Sequence, residues 1–170
     1  MAIQFDPPTN IVLTGFMGVG KTTIGRRVAE FVQRTFIDTD DVITARAGIT
    51  IPQIFAQHGE AFFRQMEHTL AKDLAAETRL VIATGGGMLV NEDNRTVLMK
   101  TGFLVCLDAP PELIEARLKD SQTRPLAANW RELYEARKSA YAAIPMHVSV
   151  LDRTADQVAQ EVIRLWRASM

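Results

Sequence analysis

A chain of 170 residues, 47% of them hydrophobic and 23% charged, can bury a core without disulfides or metals and is too apolar to be largely disordered. Its 19 basic and 20 acidic residues give a net charge of -1, which excludes a strong overall attraction to nucleic acid or acidic membranes. No segment has the pattern of a secretory leader or the length of a membrane span, so we expect one cytoplasmic domain over residues 1–170.

Short apolar segments alternate with helical patterns along the chain, which is typical of a parallel sheet with helices on both faces. The predicted strands are residues 11–14, 35–37, 80–84, 103–107 and 147–151. The predicted helices are residues 21–33, 60–76, 92–100, 111–119, 130–143 and 155–167. The predicted fold class is therefore α/β, with three layers around a five-stranded parallel sheet. Ligands of such sheets bind beyond the carboxyl ends of the strands.

A glycine-rich segment follows the first predicted strand. It reads Gly15-Phe16-Met17-Gly18-Val19-Gly20-Lys21-Thr22, a full match to the pattern of Gly, four residues, Gly, Lys and Ser or Thr. Its glycines allow consecutive backbone N–H groups to point at phosphate oxygens, and the following helix adds its positive end. A chance glycine turn would not place the whole motif between an apolar strand and an amphipathic helix. The predicted nucleotide contacts are Gly15, Gly18, Val19, Gly20, Lys21, Thr22 and Thr23.

The second predicted strand runs into an acidic segment, Asp38-Thr39-Asp40-Asp41. Alternate residues of an extended chain face the same way, so Asp38 and Asp40 should both approach the phosphate loop. One carboxylate could hold Mg²⁺ and the other could accept a proton from an attacking hydroxyl. The alternative is an acidic N-terminal cap for a helix beginning at Val42.

Two other classes of triphosphate-binding protein are disfavoured. A GTP-binding switch needs an Asn-Lys-x-Asp and an Asp-x-x-Gly element, and the sequence contains neither. A motor ATPase would use an acidic residue after a strand for Mg²⁺, and Asp108 has that position. Because Pro110 and Pro111 follow it, we interpret Asp108 as a turn residue.

Two further segments contain candidate ligand contacts. The third strand leads into Thr84-Gly85-Gly86-Gly87, where three glycines indicate a close approach of backbone and ligand. Arg64 and Glu67 are three residues apart in a predicted helix, so Glu67 can hold the guanidinium in place. A surface ion pair of little energetic value is the alternative.

The remaining candidates lie after the fourth predicted strand. Residues 117–124 form a polar segment suited to a mobile cover, in which Arg124 would reach the γ-phosphate. The pattern around Arg137 is equally compatible with a solvated helix face.

Cys106 lies in an apolar run and is predicted to be a buried structural thiol. The three histidines show no ligand spacing with it, so we expect no metal held by protein ligands alone.

Taken together, these motifs resemble the shikimate kinase family over nearly the whole chain. The segments that carry the resemblance are Gly15-Phe16-Met17-Gly18 to Arg26, Phe36-Ile37-Asp38-Thr39-Asp40, Ile54-Phe55 with Gly59-Glu60 and Phe63-Arg64, and Gly85-Gly86-Gly87. The resemblance implies a P-loop kinase of the nucleoside monophosphate kinase fold, with a lid at about residues 117–130 and a substrate-binding helical region at about residues 42–77. Residues 125–137 form a shorter segment than the resemblance leads us to expect.

The resemblance also implies roles on the nucleotide side. Thr22 and Asp38 would hold Mg²⁺, which arrives with ATP. Arg117 would lie beside the adenine, Arg124 would contact the γ-phosphate from the lid, and Arg153 would help to form the edge of the nucleotide pocket.

On the acceptor side, Arg64 and Arg137 would bind the shikimate carboxylate, because planar guanidinium groups bind carboxylates bidentately. Asp40 would bind the hydroxyls and assist the attacking one. The implied backbone contacts to the ring are Gly85, Gly86 and Gly87. The implied catalytic residues are Lys21, Asp40 and Arg124.

The predicted function is phosphoryl transfer from ATP to shikimate by a monomer that has no nucleic acid or membrane partner. A kinase for another small hydroxy acid, such as gluconate, shares the loop and the sheet and stays an alternative. A nucleotide-binding regulator without turnover is another, although Lys21, Asp38, Asp40 and Arg124 together favour an enzyme.

Overall fold

The computed structural model describes residues 9–120 and 129–170 of the chain. Five parallel strands form one sheet: β1 (Asn10–Thr14), β2 (Thr35–Asp38), β3 (Leu80–Ala83), β4 (Gly102–Asp108) and β5 (His147–Ser149). Their order across the sheet is β2-β3-β1-β4-β5. The predicted α/β class and the five parallel strands are confirmed.

Eight helices lie in the described part of the chain: α1 (Lys21–Val32), α2 (Thr39–Ala47), α3 (Ile51–His58), α4 (Glu60–Ala76), α5 (Glu92–Thr101), α6 (Pro111–Asp120), α7 (Trp130–Ala142) and α8 (Ala155–Ala168). A 3-10 turn covers Met88–Val90. The capping box expected at the start of α8 is present, with Thr154 and Gln157 bonded to each other's backbone N–H groups. None of the helices in the described ranges has the length and apolar character needed to cross a membrane.

The helical region predicted at residues 42–77 divides into α2, α3 and α4. Gly48, at a φ of 70°, ends α2, and Gly59, at a φ of 83°, separates α3 from α4. Glycine adopts these left-handed angles without steric cost, so each residue allows a sharp change of direction. Thr50 caps α3 through a second capping box with Gln53.

The core lies on the sheet. Ile11, Val12 and Leu13 of β1 are all fully buried, and since consecutive strand residues face opposite ways, both faces of this central strand are covered. Neighbouring β3 places its carboxyl end at the same edge, where the Thr84 amide donates to the Leu13 carbonyl at 3.0 Å. The segments that follow β1, β2 and β3 therefore meet beyond one edge of the sheet.

Candidate active site

A cleft of about 680 Å³ opens where those segments meet. It is bounded by the phosphate loop on one side and by α3 and α4 on the other. The predicted site residues that line it fall into three groups. Those of the phosphate loop and α1 are Gly18, Gly20, Lys21, Thr22 and Thr23. Those of the acidic and triple-glycine segments are Asp38, Asp40, Gly85, Gly86 and Gly87. Those of the later helices and α4 are Arg64, Arg117 and Arg137.

The phosphate loop depends on glycine at Gly15, Gly18 and Gly20, whose φ angles are 141°, 82° and 99°. A Cβ at Gly15 would also lie 2.5 Å from the Leu107 carbonyl oxygen. The absence of a side chain at Gly15 therefore lets the loop pack directly against the backbone of β4. Lys21 is buried, and its Nζ donates to the carbonyl oxygens of Gly15 at 2.7 Å and Phe16 at 2.9 Å. The loop thus presents backbone N–H groups and an ammonium group to the cleft, the arrangement that suits a polyphosphate.

The hydroxyl of Thr22 donates to Oδ2 of Asp38 at 2.8 Å. Asp38 is also the N-cap of α2, because its Oδ1 accepts from the Asp40 amide at 3.0 Å. The structure therefore corrects the reason given for Asp40. Strand alternation does not bring it to the cleft, since Asp40 lies in the first turn of α2 rather than in an extension of β2. An acidic helix cap and a pair of carboxylates at the cleft, which were alternatives in the sequence analysis, are therefore both present: Asp38 caps α2, and Asp38 and Asp40 both line the cleft.

The three consecutive glycines each face one charged side chain. A Cβ at Gly85 would lie 2.5 Å from Oδ1 of Asp40, and one at Gly86 would lie 3.0 Å from a terminal nitrogen of Arg137. At Gly87 it would lie 2.7 Å from a terminal nitrogen of Arg64. Larger residues would displace the carboxylate or the guanidinium groups. The absence of a side chain at these three positions thus lets the charged groups lie close to the backbone.

Arg64 is held by two carboxylates. One terminal nitrogen donates to Glu67 at 2.8 Å, and the other donates to Glu60 at 3.1 Å. Burial opposes the charge, but these bonds and charges outweigh it and raise the pKa of Arg64. The Glu67 side chain is only 3% exposed. A surface ion pair does not describe this arrangement, because one partner is buried and the other faces the cleft.

Burial raises the pKa of Glu67 despite the opposing charge of Arg64. The folded protein therefore binds this proton more tightly than the unfolded chain, and the contribution of Glu67 to stability falls as the pH rises. We expect the free energy of unfolding of Glu67→Gln, relative to that of the wild type, to increase as the pH rises above about 4, the ordinary pKa of a glutamate. Urea unfolding of both proteins at several pH values measures this difference. A difference that stays constant with pH would contradict the prediction.

Arg137 lies on α7, which packs against the phosphate loop through the rings of Trp130, Tyr134 and Phe16. Its guanidinium carbon is 5.7 Å from the centre of the Phe16 ring. Because Arg137 lines the cleft beside Gly86, the solvated-face interpretation does not apply to it.

Tyr141 is a site residue that the sequence analysis missed. Its buried hydroxyl donates to the Gly86 carbonyl and also interacts with Arg137, one helical turn earlier. Burial raises the pKa of Tyr141 to about 12, so the hydroxyl keeps its proton at neutral pH. The available signal was the spacing of four residues from Arg137, which places both side chains on one face of α7.

An apolar wall faces the charged groups. Phe55 and Phe63 pack with ring centres 4.9 Å apart, and Ile51 lies on the same side of the cleft. Sequence reasoning used both phenylalanines as motif residues but gave them no role. The wall suits the carbon skeleton of a small ligand whose polar groups point at the guanidinium and carboxylate groups.

The three arginines predicted on the nucleotide side are Arg117, Arg124 and Arg153. One terminal nitrogen of Arg117 donates to the carbonyls of Gly18 and Val19, each at 3.0 Å, so this side chain crosses the phosphate loop. Arg153 does not line the cleft, and its guanidinium donates to the carbonyls of Ser149 and Gln157 at 3.3 Å each. Arg124 lies outside the described residues, as does much of the predicted lid and the start of the segment at residues 125–137.

Comparisons with known proteins identify relatives of this chain. The family model described as shikimate kinase matches residues 17–167. Shikimate kinase from Caldanaerobacter subterraneus is 41% identical over 92% of this chain and 95% of its own length. The one from Pelotomaculum thermopropionicum is 41% identical over 91% and 93%.

Among solved structures, shikimate kinase from Acinetobacter baumannii in complex with shikimate has a TM-score of 0.89 and 35% identity, over 97% of this chain and 96% of that one. A gluconokinase from Sinorhizobium meliloti has a TM-score of 0.62 at 16% identity, over 95% of each chain, which shows a shared fold alone. Because the match in sequence and in structure extends over nearly its whole length, the chain belongs to the shikimate kinase family.

Proposed function

We propose that this enzyme transfers the γ-phosphoryl group of ATP to the 3-hydroxyl of shikimate, giving shikimate 3-phosphate and ADP. The observation that carries the proposal is that the side chains of Arg64, Arg137 and Asp40 lie against three consecutive glycines in the cleft that the phosphate loop also lines. Two guanidinium groups and one carboxylate match an acceptor that carries a carboxylate and hydroxyls.

On the nucleotide side, the loop amides and Lys21 bind the β- and γ-phosphates. Lys21 exchanges its bonds with two backbone carbonyls for bonds with phosphate oxygens. The Thr22 hydroxyl and the Asp38 carboxylate, 2.8 Å apart, are hard oxygen ligands of the kind that Mg²⁺ takes, so the site fits the ion. Bound Mg²⁺ would supply positive charge to the phosphate oxygens. Arg117 and Arg153 are proposed to border the nucleoside, and Arg124 to contact the γ-phosphate.

On the acceptor side, Arg64 and Arg137 bind the carboxylate and fix the orientation of the ring against Phe55 and Phe63. The backbone of the triple glycine contacts the hydroxyls. Asp40 accepts a hydrogen bond from the attacking hydroxyl and takes its proton as the new O–P bond forms. Phosphoryl transfer needs positioning and charge stabilisation above all, and this cleft provides both from rigid elements.

The first experiment measures ADP release by the purified enzyme with Mg²⁺ and ATP, comparing shikimate, quinate, gluconate and no acceptor at equal concentrations. We expect strong stimulation by shikimate. Stimulation by gluconate alone would favour the alternative kinase, and ATP binding without stimulation by any acceptor would favour a regulator. Lys21→Ala serves as the control for contaminating ATPases.

Tyr141→Phe tests how the acceptor site is held together. Losing the hydroxyl frees the Gly86 carbonyl and the Arg137 side chain. One hydrogen bond contributes about 0.5–1.5 kcal/mol, which corresponds to roughly a 2- to 12-fold change in a binding constant. We expect the KM for shikimate to rise by that factor while the KM for ATP stays unchanged. Tyr134→Phe, on the same helix, is the matched control. Equal changes in both KM values would indicate general loosening of the fold instead.

The proposal includes a cytoplasmic monomer. Sedimentation equilibrium of the full chain would test the oligomeric state, and a tagged chain in fractionated cells would test the location. A stable dimer or a membrane-bound fraction would change this part of the proposal without changing the chemistry.

A further inference from the structure

A second cavity, of about 240 Å³, lies next to Phe16 and Val19 of the phosphate loop and apart from the residues of the cleft. Cys106, Asp108 and His147 all line it. One ligand atom from each, a thiol sulfur, a carboxylate oxygen and an imidazole nitrogen, lies within 4.8 Å of the others. Phosphoryl transfer as proposed above uses none of these groups.

Strand pairing brings the three residues together. Cys106 and His147 are direct partners in the register of β4 and β5. The Cys106 amide donates to the Met146 carbonyl at 2.8 Å, and the Val150 amide donates to the Asp108 carbonyl at 2.9 Å. Both strands are thus fixed on either side of the cluster. Sequence spacing did not reveal it, because the cysteine and the histidine are far apart along the chain.

The hydrogen bonds within the cluster leave a place for one positive charge. The Nε2 atom of His147 is 2.9 Å from the Ile144 carbonyl, which can only accept, so Nε2 carries a proton. The Nδ1 atom is 2.8 Å from Oδ2 of Asp108. Because these two atoms are too close for a metal ion to lie between them, they share a proton, and this is the positive charge that a metal ion would displace. The other Asp108 oxygen is 3.5 Å from the Cys106 sulfur.

We propose that Cys106, Asp108 and His147 bind one transition-metal ion of the Zn²⁺ type, with water from the cavity as the fourth ligand. The metal–sulfur bond replaces the S–H bond of Cys106, whose proton passes to solvent. The proton shared by Nδ1 of His147 and Asp108 also passes to solvent, so that the Nδ1 lone pair forms the second bond and a carboxylate oxygen of Asp108 the third. Zn²⁺ in proteins is bound by sulfur, imidazole and carboxylate ligands with this coordination number.

Three features of the cluster suit such an ion. The Ile144 carbonyl fixes the histidine tautomer, as partners of the second ring nitrogen do in metal sites. Metal–ligand bonds of about 2.0–2.3 Å separate tetrahedral ligand atoms by roughly 3.3–3.6 Å, and the three ligand atoms of this cluster lie within 4.8 Å of one another. The side chains of Asp108 and His147 are 48% and 34% exposed, which gives the ion a route inward. Mg²⁺ prefers oxygen ligands and does not compete for a thiolate.

Cobalt(II) titration of the untagged full chain, without nucleotide, tests the proposal. We expect one equivalent to bind and to produce a thiolate-to-metal charge-transfer band in the near ultraviolet, which Zn²⁺ then removes. Cys106→Ser should abolish the band, and His147→Gln should weaken binding about 10-fold or more. His58→Gln, which removes an exposed histidine elsewhere, is the matched control and should bind like the wild type.

Absence of the band in the wild type would overturn the proposal, and so would undiminished binding in His147→Gln. Circular dichroism and the urea midpoint check that each variant is folded. If Cys106→Ser does not fold, the partly exposed His147 still decides the question, since its replacement leaves the buried thiol in place. The test does not depend on kinase activity, so it stands whether or not shikimate is the acceptor.

Discussion

Asp40→Asn should lower kcat for shikimate phosphorylation about 100-fold or more, because a positioned general base contributes roughly 100- to 10,000-fold. The asparagine has the same shape and fits the same space beside Gly85, but it cannot take the proton of the attacking hydroxyl. The KM for ATP should change little, since Lys21, Thr22 and Asp38 are intact. Steady-state kinetics with each substrate varied in turn measures kcat and the KM for each substrate.

The matched control for this variant is Asp41→Asn. Both aspartates lie in the first turn of α2, where a negative charge stabilises the helix by about 0.3–1 kcal/mol, so both variants lose that contribution. Asp41 is exposed and does not line the cleft, so its variant should keep the kcat of the wild type. If both variants lost activity equally, the charge at the helix start would matter and Asp40 would not be the base.

Much of the fold could be predicted from the sequence because its signals are local. The phosphate loop needs Gly15, Gly18 and Gly20 at fixed spacing, and the positive φ angles of these residues are the physical reason for the pattern. The capping box at Thr154 likewise depends on neighbours within one turn. Parallel strands buried on both faces form continuous apolar runs, which made β1 and β4 easy to recognise.

The parts that could not be predicted depend on contacts between distant segments. Three glycines indicated a close approach, but no sequence pattern pairs Gly85 with Asp40, Gly86 with Arg137 and Gly87 with Arg64. The hydrogen bond from Tyr141 to Gly86 joins α7 to the loop after β3, and no local pattern signals it. Strand register, which pairs Cys106 with His147, is equally invisible in spacing.

Asp40 lies at the cleft, as predicted, but for a different reason. Alternation along an extended strand predicted it at the cleft. The structure instead ends β2 at Asp38, which caps α2 and accepts from Thr22 at the same time. The Asp38 carboxylate thus caps the helix that carries Asp40, so the position of Asp40 depends on Asp38.

Arg64→Ala should raise the KM for shikimate by roughly 10- to 150-fold, since hydrogen bonds to charged groups contribute about 1.5–3 kcal/mol. The value of kcat should fall less than the KM rises, because Asp40 and the phosphate loop are unchanged. Lys72→Ala, at an exposed position of the same helix, is the control and should behave like the wild type. Steady-state kinetics with shikimate varied at saturating ATP gives both parameters.

Arg64→Lys separates recognition of the acceptor from stability of the fold. Removing Arg64 altogether leaves the buried carboxylate of Glu67 without its 2.8 Å partner, and this could destabilise the protein. Lysine keeps a positive charge beside Glu67 but lacks the planar fork that binds a carboxylate bidentately. We therefore expect Arg64→Lys to have the same urea midpoint as the wild type and a KM for shikimate about 10-fold higher than that of the wild type. A KM equal to that of the wild type would mean that Arg64 acts as a simple charge, and the carboxylate would then depend on Arg137 for its orientation.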